Sequence, residues 1–272
     1  MNAQVSCNPG GAGGSSPIVK ARVAAHESFE TLFPGERNEL EMSTVLIRYF
    51  LGITPDEFIE LTALVDGKPR VWQCRTLEQH LEGLRLAHSL RGFSGAYMLV
   101  NGPVNPDLSA RYEQCRWVWG RLRATDKDIC ERRGVYIDVD PIRVSGISAT
   151  NGEHECARDV AWSVRDWLSP RLGQSCLGLG CSGNGFFVLI ALEPTSSPSD
   201  SSPKIQRFLA LLAKKFGTDR VSIDTTVFNP ARLMSCPGTW KRKGISTPDR
   251  PHRMTTFTCH ASSVDRIALE AL

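Results

Sequence analysis

The sequence lacks any long apolar run, and this absence excludes one class of protein. No segment reaches the roughly 18 consecutive apolar residues that a membrane-spanning helix needs. The N-terminus also lacks the continuous apolar stretch of a secretory signal peptide. We therefore expect neither a signal peptide nor a membrane span.

A disulfide framework and a zinc finger are also missing. The chain has nine cysteines, an odd number, and the only close pair is Cys176 and Cys181. No second pair stands at zinc-finger spacing. This pattern predicts reduced thiols that serve mostly as small core residues, and hence a cytosolic (cytoplasmic) protein.

The chain has little net charge, because 32 Lys and Arg residues stand against 29 Asp and Glu residues, a formal balance of +3. Composition alone therefore does not identify a nucleic-acid-binding protein. The 272 residues, 41% of them hydrophobic, can bury the core of one large domain or two small ones. Residues 1–38 begin rich in Gly, Ser and Pro and are predicted to be a disordered tail, so we place the folded domain at 39–272.

The pattern of elements predicts an α/β (α+β) fold. Asp66-Gly67 between two alternating apolar runs is typical of a β-hairpin, and the leucine spacing over 76–90 predicts a helix. Further along, Thr150-Asn-Gly-Glu153 fits a capping box at a helix start, and the apolar run 186–192 predicts a buried strand. Strands that alternate with helices indicate a helix-covered sheet, which we expect to be mixed.

Two acids close a short predicted strand at 135–140, Val-Tyr-Ile-Asp-Val-Asp. Side chains of a strand alternate between its faces, so Asp138 and Asp140 project from the same face. Carboxylates held this close repel each other unless a cation or a shared proton lies between them. A third acid, Asp224, ends a similar segment at 221–224. If the two strands are neighbours, the three carboxylates converge and form a seat for one or two divalent metal ions.

A glycine-dense loop, Cys181-Ser-Gly-Asn-Gly185, directly precedes the predicted strand at 186–192. In one interpretation its backbone amides and the Ser182 hydroxyl approach a phosphate. In the other it is a tight turn whose glycines supply positive φ. The loop lacks the Lys-Ser/Thr pair of a Walker A sequence and precedes a strand instead of a helix, so P-loop and Rossmann nucleotide sites do not fit.

A basic stretch follows the third acid. Between Asn229 and Arg253 six Lys or Arg residues stand against one acid, Asp249. Gly and Pro residues divide the stretch and no further acids compensate its charge, so contact with a nucleotide or nucleic acid is favoured over a merely solvated loop. Metal-binding acids beside a cationic patch suit a phosphate-bearing substrate.

Taken in order, these features resemble the archaeo-eukaryotic primase superfamily. The matching segments are Asp138-x-Asp140, Ser182-Gly-Asn-Gly185, Asp224, Asn229-Pro-x-Arg232 and Gly238-Thr-x-x-x-Lys-Gly244. The resemblance is closest to the primase-polymerase domains of bacteria, phages and plasmids. It runs well over 133–253 and more weakly back to about residue 57. Each motif is loose alone, but their order and spacing together are fairly specific.

The resemblance implies a two-part fold whose second part has an RRM-like sheet with the acids on its open face. It implies a nucleotidyltransferase, a DNA primase or polymerase that makes or extends primers on a single-stranded DNA template from NTPs or dNTPs. Two Mg²⁺ or Mn²⁺ ions would be held by Asp138, Asp140 and Asp224. The implied nucleotide-binding residues are Ser182, Gly183, Asn184, Gly185, Phe187, Asn229, Arg232, Thr239, Lys241 and Lys243.

Two departures from the family pattern affect this reading. The family's loop motif usually ends with an aromatic residue and a phosphate-binding histidine, but here Phe186 and Phe187 follow the loop. A phenylalanine cannot hydrogen-bond. The phosphate contact is therefore weakened, lost, or supplied instead by Lys241, Arg242 or Lys243. The sequence also contains no helicase motor, so we expect any replicative helicase to be a separate partner.

Two alternatives stay open. One is a catalytically silent relative that binds a nucleotide or nucleic acid passively. Phe187 favours it, while the three acids oppose it because concentrated negative charge repels DNA. The other is a metal-dependent nuclease that uses the same carboxylates, which leaves the basic stretch unexplained.

Overall fold

The computed structural model describes residues 39–54, 57, 59–109, 116–119, 123–259 and 263–272. The predicted disordered tail at 1–38 lies outside the described residues. The elements of the first half are α1 (Glu39–Leu51), β1 (Ile59–Val65), β2 (Lys68–Cys74), α2 (Leu77–Ser89), β3 (Phe93–Leu99), α3 (Pro106–Ser109), β4 (Val118–Trp119) and a 3-10 turn (Asp126–Asp128).

The second half contains the longer strands and helices. Its elements are β5 (Arg132–Pro141), α4 (Asn151–Leu172), β6 (Leu177–Cys181), β7 (Phe186–Thr195), α5 (Ser202–Phe216), β8 (Val221–Ile223), β9 (Leu233–Ser235), β10 (Trp240–Lys241), β11 (Arg253–Met254), β12 (Thr256–Cys259) and a 3-10 turn (Leu269–Ala271). Across the described ranges, no helix is both long and apolar enough to span a membrane.

The first sheet is built on the predicted hairpin of β1 and β2. Its two turn residues, Asp66 and Gly67, both have positive φ, 51° and 71°, as a type I′ turn requires. The strand order is β4-β2-β1-β3-β9. The predicted helix follows as α2, which begins after a capping box at Thr76 and packs on β1, β2 and β3.

The second sheet has the strand order β12-β6-β7-β5-β8. The chain order β5-α4-β6-β7-α5-β8 is the split βαβ arrangement of RRM-like folds. Each helical crossover skips one strand position, so the strands it joins are parallel but not adjacent. Every pairing between the named strands of this sheet is antiparallel. The α/β (α+β) class in two parts is confirmed, and the one parallel pairing seen at the second sheet among the described residues is an isolated bridge between Leu192 of β7 and Ile267.

Two amphipathic helices cover one face of the second sheet. The predicted capping box is present, since Thr150 accepts the Glu153 N–H and Glu153 accepts the Thr150 N–H. Helix α4 continues through Pro170 to Leu172, because proline removes only one bond near the helix end. Helix α5 begins at Ser202-Pro203, as a proline in the first turn favours. The first sheet and the segments that connect the two sheets lie on the other face of the second sheet.

The chain changes sheets after β8. It adds β9 to the first sheet beside β3, forms the short β10–β11 hairpin, and returns to the second sheet as β12. This crossing brings the residues that follow Asp224 into the space between the two sheets.

Candidate active site

Two aspartates lie near the C-terminal end of β5, on the face that the helices leave open. Val135, Ile137 and Val139 are buried in the core, and the alternation of the strand turns the acids the other way. Asp138 and Asp140 both line a cavity of about 400 Å³ between the two sheets. The predicted pair of carboxylates is therefore present on one face.

Tyr136 shares this face and orients the first acid. Its hydroxyl donates a hydrogen bond to Asp138 Oδ1 at 3.1 Å. Its buried ring packs against Phe187, with ring centroids 5.4 Å apart. Because the buried ring is fixed by this packing, the hydroxyl holds the Asp138 carboxylate in place.

The burial of Asp138 and Asp140 disfavours a negative charge on both carboxyl groups. Burial raises the pKa of Asp138 well above its ordinary value, and the charge of Asp140 raises it further. Burial also raises the pKa of Asp140, against the opposing charges of Arg143 and Lys243. A divalent cation between the carboxylates would remove this penalty, so the donor set fits a metal ion.

Asp224 follows β8, beside the first acid. The β5–β8 register pairs Val139 with Ile223, so Asp224 stands next to Asp138, and the Asp224 N–H donates to the Asp138 carbonyl at 3.0 Å. One Asp224 carboxylate oxygen accepts the amide and the hydroxyl of Thr226, both at 2.7 Å. In the part of the chain that is described, no three His, Cys, Asp or Glu side chains form a ready metal-binding group. The three-acid metal seat stays a prediction.

The loop between β6 and β7 satisfies much of its own backbone. The Gly185 N–H donates to Ser182 Oγ at 3.1 Å, and the Gly183 N–H donates to Cys181 Sγ at 3.3 Å. Two amides assigned to phosphate binding are thus already used, because the chain closes a tight turn here. Gly183 has a φ of 93°, so the turn interpretation is confirmed for this glycine, whereas Gly185 is not in the left-handed region.

The same loop positions its neighbours. Asn184 Oδ1 accepts the Ala149 N–H at 2.9 Å and so ties the loop to the start of α4. A Cβ on Gly185 would collide with the Val139 carbonyl oxygen and with Asp140 Oδ1. Glycine at this position therefore lets the loop lie directly against the second acid.

Lys241 lies between the two sheets with its stem packed on two glycines. A Cβ on Gly95 of β3 would lie 3.3 Å from Lys241 Cδ, and one on Gly183 would overlap Lys241 Cβ. The amine donates to the Tyr97 hydroxyl and lies 3.9 Å from the centroid of that ring. Burial lowers the pKa of Lys241 to about 7, and the charge of Lys243 acts in the same direction.

Arg232 is held in the cavity by its own motif. Its Nε donates to Asn229 Oδ1 at 3.0 Å, and its Nη2 donates to the Thr226 carbonyl at 3.1 Å. Asn229 is itself fixed by donating to Asp126 Oδ1 at 2.9 Å. The positive charge of Arg232 acts to lower the pKa of Asp138, so the guanidinium lies within electrostatic reach of the acids. Asn229 thus orients the cation that faces them.

The far part of the basic stretch is structural. Arg250 pairs with Glu153 at 2.9 Å, and Arg253 donates to the Ala149 carbonyl at 2.8 Å and to Asn151 Oδ1 at 2.8 Å. These bonds fasten the stretch to the N-terminus of α4. The cations that line the cavity are Arg123, Arg143, Arg232, Lys241 and Lys243.

Five predicted nucleotide-binding residues do not line the cavity, and two of them, Phe187 and Thr239, are core residues; the other three are Gly183, Gly185 and Asn229. Phe187 is 0% exposed and packs between Tyr136 and Phe257, where its ring stands over Gly180. Thr239 is also 0% exposed, and its hydroxyl donates to the Cys236 carbonyl at 2.7 Å. Both residues fill core positions, and the hydrophobic effect accounts for Phe187 there.

The cavity brings together most of the remaining predicted residues. Of the predicted set, those that line it are Asp138, Asp140, Ser182, Asn184, Arg232, Lys241 and Lys243. Sequence reasoning missed Thr62, Tyr97 and Tyr136, which also line it. Alternation along β5 could have found Tyr136. No local signal marks the other two, because the opposite sheet supplies them.

Comparison with known proteins gives low similarities. No protein-family model and no curated protein matches the sequence. The structure is similar to the AEP domain of the primase-polymerase of cyanophage S-2L, at 16% identity and a TM-score of 0.44, over 82% of this chain and 92% of that chain. It is also similar to the polymerase domain of Mycobacterium tuberculosis ligase D, solved in complex with DNA, at 12% identity and a TM-score of 0.40, over 82% and 84% of the two chains.

Both of these solved structures are polymerase domains, and one of them is a primase-polymerase. The identities and TM-scores are low, so the function proposed below rests on the residues of this chain.

Proposed function

We propose that the chain is a nucleotidyltransferase, a DNA primase or polymerase domain that makes or extends primers on single-stranded DNA. The cavity carries this proposal. Asp138 and Asp140 lie in it together with Arg232, Lys241 and Lys243, so a metal-binding side and a phosphate-binding side share one space. The volume of about 400 Å³ is in the range of small-molecule sites and suits one nucleotide.

The acids form the metal side of the site. Asp138 and Asp140 would hold the ions, with Asp224 as the third ligand after its carboxylate turns from Thr226. Bound Mg²⁺ or Mn²⁺ would supply activation of the attacking hydroxyl and stabilisation of the pyrophosphate leaving group. Tyr136 keeps the Asp138 carboxylate oriented toward the cavity by its hydrogen bond.

The cations form the phosphate side. Lys241 reaches the cavity from between the sheets, and Arg232 is aimed by Asn229. These two side chains and Lys243 would neutralise the triphosphate and the charge that develops during transfer. Lys241 thus takes the phosphate contact that the family assigns to a histidine, since Phe187 is confined to the core.

A template-copying assay with labelled nucleotides, single-stranded DNA and Mn²⁺ tests the proposal. We expect template-dependent products from the wild type and a loss of about 100-fold or more in Asp138→Asn and Asp140→Asn, because each removes a metal-binding charge. Asp166→Asn is the matched control, since Asp166 lies on the outer face of α4 with a side chain 66% exposed. It should retain wild-type activity.

The assay also separates the alternatives. Nucleotide binding without products would overturn catalysis and favour a silent binding module, the reading that Phe187 suggests. Degradation of the template, lost in the same aspartate variants, would indicate a metal-dependent nuclease.

A further inference from the structure

The wall of the cavity opposite the acids is formed by the first sheet. Thr62 and Leu64 of β1 and Tyr97 of β3 line it. Thr62 and Tyr97 are directly paired across the strands and therefore project from the same face. None of these residues belongs to the motifs that mark the acids or the basic stretch.

Thr62 is the unusual member of this wall. The residue is 1% exposed, yet its hydroxyl has no hydrogen-bond partner among the described residues. Buried polar atoms in native proteins nearly always have a partner, because an unpaired one costs about 1–3 kcal/mol. An unpaired hydroxyl on a residue that lines a cavity therefore points to a molecule that occupies the cavity.

The position of Thr62 in the sheet indicates which part of that molecule it meets. One row across the sheet runs Ser235, Tyr97, Thr62. Ser235 contacts the Ser182 carbonyl at 3.5 Å, and Tyr97 holds the amine of Lys241. Thr62 is thus the next side chain beyond the phosphate-binding lysine.

Along β1, Thr62 shares its strand face with Leu64, which lines the cavity, and with the buried Glu60, which does not. Leu64 is paired with Pro69 of β2, and both line the cavity. A single hydroxyl beside apolar side chains suits a group with a ring face and a few hydrogen-bonding atoms. The sugar and base of a nucleotide have that chemistry, whereas a further phosphate does not.

We propose that this wall is the nucleoside subsite and that the Thr62 hydroxyl hydrogen-bonds the sugar or base of the bound nucleoside triphosphate. The inference rests on the proposed function, since it requires the triphosphate to lie against Lys241. It makes Thr62 a substrate-contacting residue that distinguishes a nucleoside triphosphate from inorganic tripolyphosphate.

Binding measurements with Mn²⁺ test the subsite. The probes are each common ribo- and deoxyribonucleoside triphosphate, with inorganic tripolyphosphate as the phosphate-only probe. We expect Thr62→Val, which removes the hydroxyl at nearly constant shape, to weaken nucleoside triphosphate binding about 5- to 10-fold, as one lost hydrogen bond implies. Tripolyphosphate affinity should not change, and Thr62→Ser should restore nucleotide binding.

Thr44→Val is the matched control. The Thr44 hydroxyl is likewise buried at 0% exposure and without a partner in the described part of the chain, but it lies on α1 and does not line the cavity. This variant should bind both probes as the wild type does. Equal loss of both probes in Thr62→Val, or no loss of either, would overturn the subsite.

Failure of the proposed function gives a different result. A wild type that binds neither probe and makes no products would remove both proposals. A wild type that makes products but binds tripolyphosphate as tightly as every nucleoside triphosphate would remove only the subsite.

Discussion

At the scale of the residue, the surroundings of Lys241 determine the charge state of its side chain. The sequence presents it as one of three consecutive cations, but its environment differs from that of its neighbours. Two glycines leave room for its stem, and Tyr97 receives its amine. Because burial lowers its pKa to about 7, its charge changes within the physiological range. The phosphate binding proposed for Lys241 should therefore depend on pH.

The pH dependence of phosphate binding follows from this shift. Below about pH 7 Lys241 carries its charge, and above that it is increasingly neutral in the free protein, so a bound phosphate must first draw a proton onto it. We expect Lys241→Met to weaken tripolyphosphate binding roughly tenfold at about pH 6 and progressively less as the pH rises above 7. Isothermal titration at several pH values measures the ratio of wild-type to variant affinity.

The phosphate groups of the probe also titrate in this pH range. Their titration cancels in the ratio of wild-type to variant affinity, because both proteins bind the same probe. Lys214→Met, at an exposed position of α5, is the control and should match the wild type at every pH. A ratio that does not vary with pH would show that Lys241 keeps its charge throughout.

At the scale of the element, the β6–β7 turn decides how closely two strands and their side chains meet. The amides of Gly183 and Gly185 donate within the turn, so these glycines act on the site by shape. Gly185 lies against Asp140, and Gly183 lies against Lys241. The acidic side and the basic side of the cavity therefore both depend on glycines of one turn.

Substitution of Gly185 tests this dependence. We expect Gly185→Ala to displace Asp140 and β5, lowering stability by about 1–3 kcal/mol and weakening Mn²⁺ binding, since its Cβ has no room. Gly152→Ala is the control, because a Cβ on this glycine in the first turn of α4 meets nothing within 4 Å. The free energy of unfolding of the control should equal that of the wild type or exceed it by up to about 1 kcal/mol. Unfolding curves and Mn²⁺ titrations that do not distinguish the two variants would contradict the packing described here.

At the scale of the whole molecule, the site exists because the chain leaves the second sheet and returns to it. The segment between β8 and β12 carries Arg232 and Lys241 across the gap. Arg132, at the start of β5, helps to hold that segment in place. Its buried guanidinium donates to the Pro198 carbonyl at 2.9 Å, to Ser202 Oγ at 3.0 Å and to the Phe228 carbonyl at 3.0 Å.

Removal of this guanidinium should loosen the crossing segment. We expect Arg132→Met to lower the free energy of unfolding by about 2–4 kcal/mol, because two carbonyls and a hydroxyl lose a buried donor. Denaturant unfolding measures this, with Arg207→Met on the exposed face of α5 as the control. Stability equal to that of the control would show that water replaces the lost donors without cost.

The sequence by itself determined the local parts of this protein. The period of two in β5 placed Asp138 and Asp140 on one face, Asp66-Gly67 set a hairpin turn, and Thr150 with Glu153 capped a helix. These features depend on neighbours a few residues away, so the pattern contains them. The antiparallel pairing of the named strands in the second sheet could not be predicted in this way, because the alternation of strands and helices does not show that each crossover skips a strand.

Only the tertiary structure decided which side chains meet in the cavity. Phe187 and Thr239 were predicted to bind the nucleotide but are core residues, while Thr62 and Tyr97 belong to no motif and form the opposite wall. The pKa of Lys241 is likewise a property of what surrounds it. Burial, charge proximity and packing arise from residues far apart in the chain, which is why residue order indicates the acids and the fold of two sheets completes the site.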